Sequence, residues 1–159
     1  MALNIVDTQL TKMYICDAGT DVSDVTAIGV AIAAGAVTTG IQTLGEIGSS
    51  RNVTEYSALD VDETSKSLGS ITLGNIPLSL LLDASDTTGQ NELRTMFSTN
   101  TRRVFIVQLT DDGTASPSYI TFDGGLSSEM LPIEKDAAVL YNTTIEITSK
   151  PVFTAATDV

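Results

Sequence analysis

"AAVLYNTTIEIT", residues 137–148, opens apolar and alternates cleanly from Tyr141 onward. Val139, Tyr141, Thr143, Ile145 and Ile147 fall on one side of an extended chain, and Asn142, Thr144, Glu146 and Thr148 on the other. A period of two is the mark of a strand, since successive side chains of extended backbone point to opposite faces. One face is apolar enough for a core and the other polar enough for water. The stretch therefore predicts a half-buried strand, and with it a sheet.

The segments upstream fit the same architecture. "TRRVFIVQLT" (101–110) is apolar on both faces at its centre, "DDGTASPS" (111–118) carries turn residues, and "YITFDGG" (119–125) returns the chain. Together they predict a hairpin with a long loop. In "ITLGNIPLSLLLD" (71–83), Ile76, Leu78, Leu80 and Leu82 share a face. Pro77 interrupts that strand, because it has no N–H for the ladder and favours edges or bulges. "IQTLGEIGSS" (41–50) and "TKMYICDAG" (11–19) read as further strands. Residues 49–70, rich in Ser, Thr and acids, read as a long hairpin or loop. The small residues between Asp21 and Gly40 suit a close-packed hairpin or ordered loop, and extended structure is expected there. Residues 1–10 and 149–159 read as terminal arms.

"DTTGQNELRTMF" (86–97) stands apart. Leu93, Met96 and Phe97 recur at helical spacing, Thr87 with Gln90 fits a capping box, and Asp86 suits the positive end of a helix dipole. So short a helix does not persist alone and must lie on a sheet. The expectation is one mainly β domain over 1–159: a two-sheet β-sandwich or barrel flanked by one short α-helix, about residues 86–98.

Composition narrows the function. The chain has 159 residues, with 20 acids against 8 bases for a net charge of -12. Nucleic acids and anionic membranes are gripped mainly by Lys and Arg, so a tight binder of either is disfavoured. There is no His, and Cys16 is the only cysteine. The Ser-His-Asp and Cys-His schemes are therefore unavailable, and no intrachain disulfide can form. Cys16 reads as a buried, inert thiol. The acidic clusters at Asp17–Asp24 and Asp60–Glu63 lack the spacing of a calcium loop and read as solvated turns. No phosphate-binding glycine loop occurs. Arg102 and Arg103, the only adjacent basic pair, read as salt-bridge partners at a strand's start. No catalytic, metal or cofactor site is expected. The apolar run Val25–Val37 is too short to span a bilayer, and no basic signal segment begins the chain. These features predict a protein made and kept in cytoplasm.

From Gly89 onward the order of elements becomes specific: "GQNELRTMF", the link "STNT", "RRVFIVQL", a "DDG" turn, then "YITFDGGLSS" leading to a late strand. This order resembles the major tail tube proteins of long-tailed, non-contractile (lambda-type) siphophages. The resemblance covers roughly residues 70–148, is looser over 41–69, and does not extend to 20–40. It implies a structural virion protein of the viral tail that self-assembles as a hexameric ring, with each subunit lending four strands to a continuous inner barrel of twenty-four. At about 4.8 Å per strand and a tilt near 40°, such a barrel closes at roughly 45–50 Å. It also implies tape-measure, tail-tip and tail-terminator proteins as partners, and DNA ejection by non-specific passage of double-stranded DNA. The expected places are the host cytoplasm during assembly and the virion tail afterwards.

In that setting the negative charge has a use, since acidic walls repel the duplex and keep it sliding. Asn142, Thr144 and Glu146 are the leading candidates for the lumen, with Glu46 and Glu55 behind them. Leu93, Met96 and Phe97 are expected to pack the helix on a sheet. Asp60, Asp62, Glu63 and Lys66 are expected in a loop ordered against the next ring, because a polar, acidic stretch buries little by itself. Two rival readings share the strand pattern: an inner-tube protein of a contractile injection system, such as a contractile tail or type VI secretion, and an immunoglobulin-like binding or adhesin module.

Overall fold

The structure is a computed structural model and describes residues 6–60, 62–111 and 117–155. In chain order they form β1 (Val6–Cys16), α1 (Val25–Ala34), β2 (Ala36–Thr38), β3 (Ile41–Leu44), β4 (Ser49–Ser57) and β5 (Thr64–Leu73). After these come β6 (Asn75–Leu81), α2 (Gly89–Thr99), β7 (Arg103–Asp111), β8 (Ser118–Met130), β9 (Leu140–Ile147) and β10 (Val152–Thr154). Residues 1–5 of the expected N-terminal arm, 112–116 of the turn and 156–159 of the C-terminal arm lie outside the described residues. The rest of the first arm, residues 6–10, belongs to β1, and β10 falls within the second.

One antiparallel sheet runs β2-β1-β7-β8-β9-β6-β3, with β10 also on β8, and β4–β5 form a separate two-stranded sheet. The thirteen-residue β8 serves two neighbours. Its Ser118–Gly124 half pairs with β7, and its Gly124–Met130 half pairs with β9. The sheet thus divides at Gly124 into two panels. A side chain at Gly124 would meet Ile145 Cγ2 at 2.9 Å and the Glu146 carbonyl at 3.0 Å, so the crossing strands leave room only for glycine there.

The main core joins both panels to α2. Met13, Ile15, Phe105 and Val107 come from β1 and β7, Ile76, Leu78, Tyr141 and Ile145 from β6 and β9, and Leu93 and Met96 from the helix. The Phe105 and Phe122 rings stack with centroids 5.4 Å apart. Pro77 is tolerated inside β6, between β9 and β3. Its carbonyl accepts from Gly45 N at 2.8 Å, one residue beyond the end of β3. N and O of a strand residue face the same side, so the missing N–H points where that ladder has run out.

Extended structure over residues 21–40 is overturned for Val25–Ala34, which is helical, so the described residues hold two helices, and only Ala36–Thr38 of that stretch is a strand. Asp24 caps α1, its carboxylate accepting from Ala27 N at 2.7 Å. Ile28 and Ala31 then pack with Cys16, Val104, Ile106 and Tyr119 in a second core on the outer side of the β1–β7 panel. The Cys16 thiol donates to the Ala31 carbonyl, and burial and then Asp17 push its pKa up, which leaves it an inert thiol.

The expected capping box is also corrected. Thr88 is the N-cap residue of α2, and its side chain makes no cap bond. Asp86 does the capping: Oδ2 accepts from Gln90 N at 3.1 Å, and Oδ1 from Thr88 N at 2.8 Å. Burial pushes the Asp86 carboxyl up, but these hydrogen bonds outweigh it and hold it below the ordinary carboxylate value. Gln90, freed from capping, turns inward.

Candidate functional site: assembly surfaces

Four surfaces are free to meet other molecules. The first is the polar side of the panel made by the second half of β8 with β9, β6 and β3. Tyr141, Thr143, Ile145 and Ile147 are buried, while Asn142 and Thr144 are half-buried and Glu146 is exposed. Neighbouring serines bond all three: Ser79 Oγ donates to Asn142 Oδ1 at 2.7 Å, Ser128 Oγ to Thr144 Oγ1 at 3.0 Å, and Ser127 Oγ to Glu146 Oε1 at 2.9 Å. The register sets Asn75, Pro77 and Ser79 beside Glu146, Thr144 and Asn142, so no basic residue stands in these rows. The face is a carpet of hydroxyls and amides that already satisfy one another. Asn142, Thr144 and Glu146 each accept a hydrogen bond from a serine of the panel. Glu46 is exposed just past β3. Glu55 lies on the separate β4–β5 sheet, not on this panel, and pairs with Lys66 at 2.8 Å.

The second surface is the β4–β5 hairpin, in which every strand residue but Leu73 is exposed. Val53 faces Leu68, Glu55 faces Lys66, and Arg51 faces Ile71 across one side. Thr54 with Ser67 and Tyr56 with Ser65 occupy the other. Asp60, Asp62 and Glu63 gather at the tip between the strands. Val53 is 49% exposed, Leu68 66% and Tyr56 60%. A two-stranded hairpin without cover is marginal by itself.

The third surface consists of open strand edges. Among the described residues, β3 pairs only with β6, and the Gly125–Met130 stretch of β8 pairs only with β9, because β7 stops at the Arg103–Gly124 pair. Unpaired edges of this kind template further strands. The fourth is a groove of about 960 Å³ between β2 and β3, walled by Val37, Ile41, Leu44, Val107, Leu109 and Ile120. Sequence reasoning placed Asn142, Thr144 and Glu146 on one face and read residues 49–70 as a long hairpin or loop, but it missed the edges and the groove. The length of β8 and the apolar "MLPI" that follows it were the available signals.

The remaining candidates fall in structural positions. Leu93 and Met96 are buried in the core, whereas Phe97 is 40% exposed. Helical spacing names a face but not how far along the helix its cover reaches. Arg103 pairs with Asp17 and, at 2.7 Å, with Glu92, as expected of a salt bridge at a strand's start. In the first acidic cluster Asp21 accepts from Ser23 N and Asp24 caps α1.

No protein family and no curated protein matches this sequence. Solved structures do. The fold superposes on the sheath/tube terminator of the extracellular contractile injection system PVC, in its extended state, with a TM-score of 0.70 at 11% identity, covering 98% of this chain and 100% of that one. It superposes on the SPP1 tail tube with a TM-score of 0.63 at 11% identity, covering 97% and 81%. The tail of the empty GTA particle, refined with C6 symmetry, gives 0.58 at 14% identity over 77% and 87%. At these identities the likeness is one of fold, and the fold is that of tail-tube proteins.

Proposed function

We propose that this chain is a structural subunit of a phage tail tube, in which hexameric rings stack into a hollow conduit for double-stranded DNA. The observation that carries the reading is the four-stranded panel, with a polar, non-basic face and an open antiparallel edge at each side. β8, β9, β6 and β3 alternate in direction, so β3 of one copy meets the Gly125–Met130 edge of the next antiparallel. Six copies give a closed barrel of twenty-four strands, roughly 45–50 Å across by strand spacing and tilt. Asn142, Thr144 and Glu146 then line the bore. The hairpin tip, with Asp60, Asp62, Glu63 and Lys66, reaches the adjacent ring. Tape-measure, tail-tip and terminator proteins set where the tube starts and stops, and a non-contractile siphophage tail is the favoured setting.

A second reading has its own support. The likeness to the injection-system terminator spans that whole chain, which favours a tube or terminator subunit of a contractile system. Electron microscopy of the concentrated protein tests both. Hollow tubes about one DNA duplex wide inside support the tube subunit, and rings that never stack support a terminator. A monomer at every concentration and salt would sink the proposal.

A further inference from the structure

β2 and β3 end the sheet on opposite sides and are joined only through Thr39 and Gly40, without pairing to each other. In the wall of the groove between them, Thr11 Oγ1 and Thr38 Oγ1 are buried with no hydrogen-bond partner among the described residues. Thr38 is only 4% exposed. Native interiors rarely leave hydroxyls in that condition, and the groove sets them beside the apolar side chains of Val37, Ile41, Val107 and Leu109. At the other edge of the four-stranded panel, the chain leaves β8 through an apolar run. Met130 is 66% exposed, Leu131 42% and Ile133 77%.

We infer that the Met130–Ile133 segment of one copy seats in the β2–β3 groove of its neighbour. The inference rests on the ring-closing ladder proposed above, and strand direction supplies the argument. Where the two edges pair antiparallel, β8 runs toward Met130 while β3 runs back from Leu44 to Ile41. The incoming chain therefore leaves the ladder beside Ile41 and Gly40, which line the groove. Leu131 and Ile133 are the next side chains available to enter it. The peptide carbonyls of the segment can accept from the Thr11 and Thr38 hydroxyls. Pro132 brings no N–H that would need a partner among apolar walls. The contact is heterologous, knob on one copy and socket on the next, as a ring requires.

Paired cysteines in the assembled protein test this. Thr43→Cys with Ser127→Cys reports on the ladder, and Thr39→Cys with Ile133→Cys on the seating. All four positions are exposed, and the native Cys16 is buried. With a short bismaleimide, both pairs should give covalent multimers that the single cysteines do not. Multimers from the first pair alone would overturn the seating and leave ring closure standing. Multimers from neither would overturn ring closure and the seating with it. Independently, Ile133→Asp should leave the urea midpoint of the monomer unchanged and raise the concentration needed for rings roughly tenfold, about 1.4 kcal/mol. An unchanged threshold also overturns the seating.

Discussion

Gln90 is fully buried and ties three segments together. Its Nε2 donates to the Leu81 carbonyl at 2.7 Å and the Thr39 carbonyl at 3.2 Å, while Oε1 accepts from Asp83 N at 3.1 Å. Gln90→Ala strands those backbone groups and should cost about 2–3 kcal/mol in urea unfolding. The sequence pointed to Gln90 as a helix cap. It could not show that the side chain faces inward, because its partners lie up to 51 residues away. Leu93→Ala should cost about 2–5 kcal/mol as a core truncation. Phe97→Ala should cost about 1 kcal/mol, since much of the ring is already in water. Equal losses at the two positions would contradict the packing described. Tyr141 gives a pH test. Burial first, then Glu129, hold its phenol protonated up to about 12, with Arg94 5.6 Å from the ring opposing them. The unfolded chain releases that proton near 10, so stability should be full below pH 10 and fall by roughly 2–3 kcal/mol toward pH 12. Tyr141→Phe should flatten that fall.

At the scale of elements, β7, β8 and β9 were legible because strand period and buried face coincide in them. α1 was not, since an Ala/Gly-rich run carries no distinct stripe. What decides it is the Asp24 cap and the room on the outer side of β1 and β7, and the second of these is not local. The carpet residues were legible for the same reason as β9. Their serine partners sit up to 63 residues away and were not. The β4–β5 hairpin contributes no buried residue to either core cluster. Replacing residues 52–70 with a short Gly-Ser turn should therefore leave the thermal midpoint of the monomer within a few degrees. Rings should still form, and they should fail to stack. A collapse of the monomer by calorimetry would show that the hairpin belongs to the fold rather than to assembly.

For the whole molecule, charge bears on the proposed assembly. Each copy carries a formal net charge of -12, so closing the proposed six-membered ring would be opposed by mutual repulsion. Salt shortens the reach of that repulsion, from about 30 Å at 0.01 M to about 8 Å at 0.15 M. Light scattering should accordingly show faster assembly as sodium chloride rises over this range, and little further gain beyond it. Assembly that slows with salt would mean that specific ion pairs, not apolar and backbone contacts, hold the copies together.

The panel has an even number of strands, and that parity has a consequence for size. An even panel meets its rotated copy antiparallel whether five, six or seven stand around the axis, while an odd one would be forced into a parallel seam. Backbone bonding is thus indifferent to the number of copies. In the proposed ring the count would instead come from how sharply each panel curves. In this chain curvature is stored where the ladders slip, between Leu126 and Ser128 on β8 and between Ile41 and Thr43 on β3. If the proposed tube holds, moving one of those slips by a residue would give a tube of different calibre with an intact wall.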